Sequence, residues 1–184
     1  MDTNLNDLVV DSVTIGAQKL EEADAELLNY ITATYTEINN MCDMSGRLYS
    51  ITATPTALSS ADDSEVIVLN KADGQAITLP AATGSGVRFD ITIGTTITSV
   101  GTTIKVTGND TMKGYAILGI DGGDTCSFFA TASDTDTITM DGSTTGGIAG
   151  AKIRLQDIAA DKWSVEYISD ASGSEATPFS ATVS

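Results

Sequence analysis

The chain has 184 residues, 41% of them hydrophobic and 18% charged. That suits one folded domain plus an arm or small second unit. A formal net charge of −16 without histidine argues against nucleic acid, whose binding needs Lys and Arg to displace counterions, and against anionic membrane surfaces. It also excludes Ser-His-Asp and Cys-His catalysis.

The first ten residues, MDTNLNDLVV, lack a basic stretch followed by a long apolar one, so no signal peptide is predicted. No later run approaches the ~20 apolar residues of a membrane span. Within this polar leader Leu5, Leu8, Val9 and Val10 form an apolar knot. Such a knot is either an extra strand on the chain's own sheet or an anchor for a partner. Ala17 to Met41 is the helix candidate, with Leu20, Ala23, Leu27, Leu28, Ile31, Tyr35 and Ile38 at three-four spacing. Glu21, Glu22 and Asp24 fall in its first turns, where the helix dipole favours acids. The spacing predicts a helix from Gln18 to Asn29. The β-branched alternation of Ile31 to Thr36 suits a strand equally well, so residues 30–40 stay open between helix and strand.

From Gly46 onward the chain reads as short strands. Ile77 and Leu79, then Phe89, Ile91 and Ile93, then Ile104 and Val106 sit two apart, with Thr or Ser between many of them. That period puts a greasy side against a Thr-rich side. The fully apolar run Val66 to Leu69 reads as a strand covered on both faces. Further strands are predicted at Leu48 to Ala53, Tyr115 to Ile120, Thr125 to Thr131, Thr137 to Met140, Ala151 to Leu155 and Lys162 to Ile168. Asp73-Gly74 is a turn pair that tolerates positive φ, and Leu79-Pro80 ends a strand because proline cannot donate to a ladder. GTTI recurs at Gly94 and Gly101, but two copies do not establish a solenoid. The expected architecture is mainly β, a multi-stranded antiparallel β-sandwich or barrel with one N-terminal helix or arm. The expected divisions are an arm and helix over residues 1–46, a β-domain over 47–170 and a polar tail over 171–184.

Candidate chemistry is sparse. Cys42 and Cys126 lie far apart and outside any C-x-x-C, so zinc is not suggested and free thiols are expected. Gly84-Ser85-Gly86 follows a proline and precedes a strand, which suits a loop and not a phosphate cradle. Asp134, Asp136 and Asp141 are the best carboxylate cluster. They suit either calcium or, as turn-forming residues, no ligand at all. Trp163 and Tyr167, in a strand pattern with Val165, are packing candidates for the core or for contacts between subunits of an oligomer, as is Phe179 in the tail if it docks. No cofactor and no enzymatic activity are expected.

One resemblance covers roughly residues 66–184. Leu69-Asn70-Lys71-Ala72-Asp73-Gly74 and Ile77-Thr78-Leu79-Pro80-Ala81-Ala82-Thr83-Gly84-Ser85-Gly86 begin it. Asp136 through Gly142, Thr144-Thr145-Gly146-Gly147, Leu155 through Ala159, Trp163-Ser164-Val165 and Ala176 through Ala181 continue it in order. These strings resemble a β-module of tailed-phage virion proteins, the capsid decoration and head-fibre proteins. The resemblance implies a structural protein on the capsid exterior, made in the host cytoplasm, with the major capsid protein as partner and a homotrimer as a common arrangement. It leaves a fibre or host-glycan receptor-binding module as the alternative. It carries over no catalytic residue. The leader knot Leu5, Leu8, Val9 and Val10 becomes the expected capsid anchor, and Trp163, Tyr167 and Phe179 the expected oligomer-packing residues.

Overall fold

The structure is a computed structural model that describes residues 12–15, 18–21, 48–63, 65–121, 123 and 125–182. The chain divides into two compact units, Met1–Met44 and Ser45–Ser184. The described part of the first is an antiparallel pair, β1 (Ser12–Ile15) and β2 (Gln18–Glu21), with Val13 opposite Leu20 and Ile15 opposite Gln18. This corrects the helix predicted from Gln18. The β-branched Val13, Thr14 and Ile15 suit a ladder, and Gln18–Glu21 pairs with them across a two-residue connection. The rest of that predicted helix, the leader knot and Cys42 lie outside the described residues.

The second unit begins with β3 (Leu48–Ile51), β4 (Thr56–Ala57), a turn of 3-10 helix at Ser60–Asp62, β5 (Val66–Leu69), β6 (Ala76–Thr78), β7 (Arg88–Ile93) and β8 (Thr102–Lys105). It continues through β9 (Thr111–Gly119), β10 (Cys126–Ala130), β11 (Thr137–Met140), β12 (Lys152–Ala159), β13 (Lys162–Asp170) and β14 (Phe179–Ser180). One sheet has seven strands in the order β10-β9-β13-β12-β7-β5-β3. The other has five, in the order β14-β11-β8-β6-β4.

From β3 to β9 the chain passes alternately between the two sheets. A strand that returns to its sheet after visiting the other runs in the same direction as its predecessor. Hence β3, β5 and β7 are parallel in one sheet, and β4, β6 and β8 are parallel in the other. The later strands add antiparallel ladders, β12 to β7 and β13, β9 to β10, and β11 to β8 and β14. The longest parallel ladder sets all nine residues of β13 beside β9. Both sheets are therefore mixed, where an antiparallel arrangement was expected. Side-chain periodicity specifies which residues share a face, not which way a neighbour runs.

The inner faces meet in one hydrophobic core. Ile67, Phe89, Ile91, Leu155 and Val165 come from the larger sheet, and Ile77, Ile104, Ile138 and Met140 from the smaller. Phe89 and Trp163 stack within it, ring centroids 5.7 Å apart. Val66–Leu69 is buried on one face only, with Ile67 and Leu69 inward and Val66 43% exposed. The apolar run was expected to be covered on both faces, but the two parallel neighbours that flank β5 occupy its edges and add no layer over its outer side. Residues 171–182 are not an exposed tail. Ala171 is buried, and β14 adds an edge strand to the smaller sheet with Ile138 opposite Phe179.

Candidate functional site

The strand period that sends Ile67, Phe89, Leu155 and Val165 inward sends the alternate residues outward, and the registers align these in rows. Val66, Asp90, Arg154, Glu166 and Tyr115 stand side by side across β5, β7, β12, β13 and β9. The neighbouring row runs Val68, Thr92, Lys152, Ile168, Ile117 and Phe128. The middle of this face is ionic. Asp90 accepts from Arg154 at 2.9 Å and pairs with Arg88 at 3.1 Å, while Glu166 lies 3.7 Å from Arg154 and accepts from the Tyr115 hydroxyl at 3.3 Å. The hydrogen bond and charge of Asp90 raise the Arg154 guanidinium further above its ordinary value. Solvent and salt screen exposed pairs of this kind, so they organise the surface more than they stabilise the fold.

The two ends of the face are apolar. Phe128 is 64% exposed and stacks on Tyr115 with centroids 5.6 Å apart, while Ile168, 57% exposed, stands inside the sheet on β13. At the other end Leu48 and Val66 are also exposed. A shallow hollow of ≈ 380 Å³ lies between Val66, Thr92, Arg154 and Ile168. On a chain of net charge −16, cations on this face (Arg88, Lys113, Lys152, Arg154 and Lys162) outnumber its carboxylates (Asp90, Glu166 and Asp170) five to three. The outer face of the smaller sheet differs. There Ala76, Thr78, Thr103 and Thr139 stand around Lys105, which is the Thr-rich side that the alternation predicts. Sequence reading found the alternation but not this concentration of cations, because the pairing that gathers five distant residues is not written in the spacing of any one strand.

The three aspartates do not converge. Asp134 is exposed, whereas Asp136 is buried and accepts from the Thr137 hydroxyl at 2.7 Å and the Thr182 N–H at 2.8 Å. Asp141 accepts from the N–H groups of Ser143 at 2.8 Å and Thr145 at 3.0 Å and from the Thr144 hydroxyl at 2.8 Å. Burial acts to raise its carboxyl, but these bonds outweigh that and hold it well below the usual carboxylate range. No group of three potential metal ligands occurs among the described residues. Asp136 and Asp141 hold loops.

Trp163 and Tyr167 have no exposed surface and Phe179 has 8%. All three pack in the chain's own core, and the Tyr167 hydroxyl donates to the Thr145 carbonyl at 3.1 Å. They therefore have almost no surface to lend to a second copy, which corrects their expected role as oligomer-packing residues. Cys126 is a free, exposed thiol on β10.

The Gly84 loop does cradle an anion, but the anion belongs to the protein. The N–H groups of Thr83, Gly84 and Ser85 donate to the Asp157 carboxylate at 3.0, 2.8 and 2.9 Å, and the Ser85 hydroxyl at 2.7 Å. Successive N–H groups turned to one point form an anion nest, here filled from β12. Asp157 escaped the sequence reading. The signal was its place in the inward register of Ile153, Leu155 and Asp157, where an acid at a core position demands donors.

Comparisons with protein-family models, with curated proteins and with solved structures find no match for this chain.

Proposed function

We propose that this chain is a non-enzymatic structural protein of a virion, a decoration (cement) protein that binds the major capsid protein on the outside of a phage head. The observation that carries the reading is the ordered resemblance over residues 66–184, whose strings fall on turns and core strands of a single sandwich. The geometry supports it in kind. The chemically distinctive surface is a broad sheet face, suited to another protein surface, and the conspicuous carboxylates Asp136, Asp141 and Asp157 are committed to holding loops. One observation favours the alternative, a head or tail fibre or host-glycan receptor-binding module. The exposed Tyr115–Phe128 stack offers the kind of aromatic platform on which a sugar ring packs.

The test is co-sedimentation with phage heads stripped of their outer proteins. Saturable binding in many copies per head supports decoration. Absence of binding to heads together with retention on a glycan array, lost in Phe128→Ala, supports the alternative. Deleting residues 1–11, ahead of β1, examines the anchor. If Leu5, Leu8, Val9 and Val10 hold the shell, the shortened protein remains folded and no longer sediments with heads.

A further inference from the structure

We propose that the outer face of the seven-stranded sheet is the contact surface of a two-fold dimer of this chain. The inference stands apart from the virion reading and rests on how the face is patterned. A chain of net charge −16 repels its own copies, and on this face cations outnumber carboxylates five to three. The row of Arg154 is ionic in its middle, and the strands toward either side of the face carry apolar residues. Those residues are Val66 and Val68 on β5, and Ile117, Phe128 and Ala130 on β9 and β10.

A two-fold axis running along the strands between β12 and β13 lays β12 of one copy over β13 of the other, β7 over β9, and β5 over β10. In the row of Arg154 the axis brings each Arg154 over the partner's Glu166, closing a ring of four alternating charges. In the neighbouring row it brings Val68 over the partner's Phe128. It also sets the Tyr115 hydroxyl against the partner's Asp90. Arg88 and Lys113 meet at the rim, where solvent and salt screen them. The Arg154–Glu166 centre and both apolar ends are thus self-complementary under one operation, as an isologous contact requires, while Lys152 lies over the partner's Ile168.

The dimensions suffice. The six strands from β10 to β5 overlap, and at ~4.8 Å apart they span roughly 29 Å, while three rows of outward residues span roughly 20 Å along the strands. That overlap covers about 580 Å² per copy, below the ~800 Å² per partner of a standard interface, but the two copies together exceed the ~1,000 Å² in total that a specific contact needs.

The test is sedimentation of the full chain at micromolar concentration, with Arg154→Glu and Glu166→Arg made separately and then mixed. The dimer predicts that the parent sediments as two copies. Each single variant places like charges opposite one another and sediments as a monomer. An equimolar mixture of the two restores the dimer, because each copy then supplies the charge that the other lost. Phe128→Ser should weaken association more than tenfold. Circular dichroism of each variant checks that it is folded, and the mixing result is a gain that misfolded variants do not give. A monomeric or trimeric parent, or single variants that dimerise as the parent does, overturns the proposal. So does a mixture that stays monomeric.

Discussion

Replacing Asp157 with Asn takes the charge from a carboxylate on which three backbone N–H groups and a hydroxyl converge, and turns an amide donor toward donors. Burial acts to raise this carboxyl, but those hydrogen bonds outweigh it and hold it at about 2, below its ordinary 3.8. A depressed folded value stabilises the protein above the unfolded value, and the contribution is lost as pH falls through the folded value. Asp157→Asn should therefore cost about 2–3 kcal/mol near neutral pH. The gap between parent and variant should close as pH falls from about 5 to about 2. Denaturant unfolding of both proteins at several pH values checks this, and a gap independent of pH contradicts it. Gly74 shows the other kind of residue-scale constraint. The Asp73-Gly74 pair predicts positive φ, and φ is +85°. The chain also passes so close that a Cβ there would lie 1.8 Å from the Val100 carbonyl oxygen. The first requirement is local and legible, and the second comes from a strand connection far along the chain.

At the scale of elements, β14 tests whether the last residues belong to the fold. Phe179 is buried opposite Ile138, and the Asp136 and Thr139 N–H groups donate to the carbonyls of Ser180 and Pro178. Phe179→Ala should cost about 3 kcal/mol, at the low end for a buried aromatic because the site is at a sheet edge. Urea unfolding reads the loss, and a change below about 0.5 kcal/mol would mean that the segment lies on the surface. The sequence hid β14 because two residues cannot show a period, and SDASGSEATP ahead of them reads as a tail. It misled at Gln18 for the opposite reason. Leu20, Ala23 and Leu27 fit a helical stripe, while the pairing with Ser12–Ile15 that governs Gln18–Glu21 lies upstream. Val66 to Leu69 was legible as a strand, but an apolar outer face looks the same in sequence whether it is covered or exposed.

For the whole molecule, the alternation of Phe89, Ile91 and Ile93 and of Trp163, Val165 and Tyr167 reads correctly as strands with one buried face. A mainly β sandwich follows from it. The path between sheets does not, since β3 to β8 become two parallel stacks through connections that carry no motif. The candidate face was half legible for the same reason. Each strand announced its outward residues, but only the register brings Arg154 beside both Asp90 and Glu166. In the proposed function, this sandwich is a part of a capsid's exterior. The measurement that tests it most directly is a subnanometre image of the intact particle assembled with this chain. A decoration protein gives density for a two-sheet β unit repeated over the outer surface of the head, in contact with the major capsid protein. A bare shell, or density confined to a few copies at the tail, would contradict it.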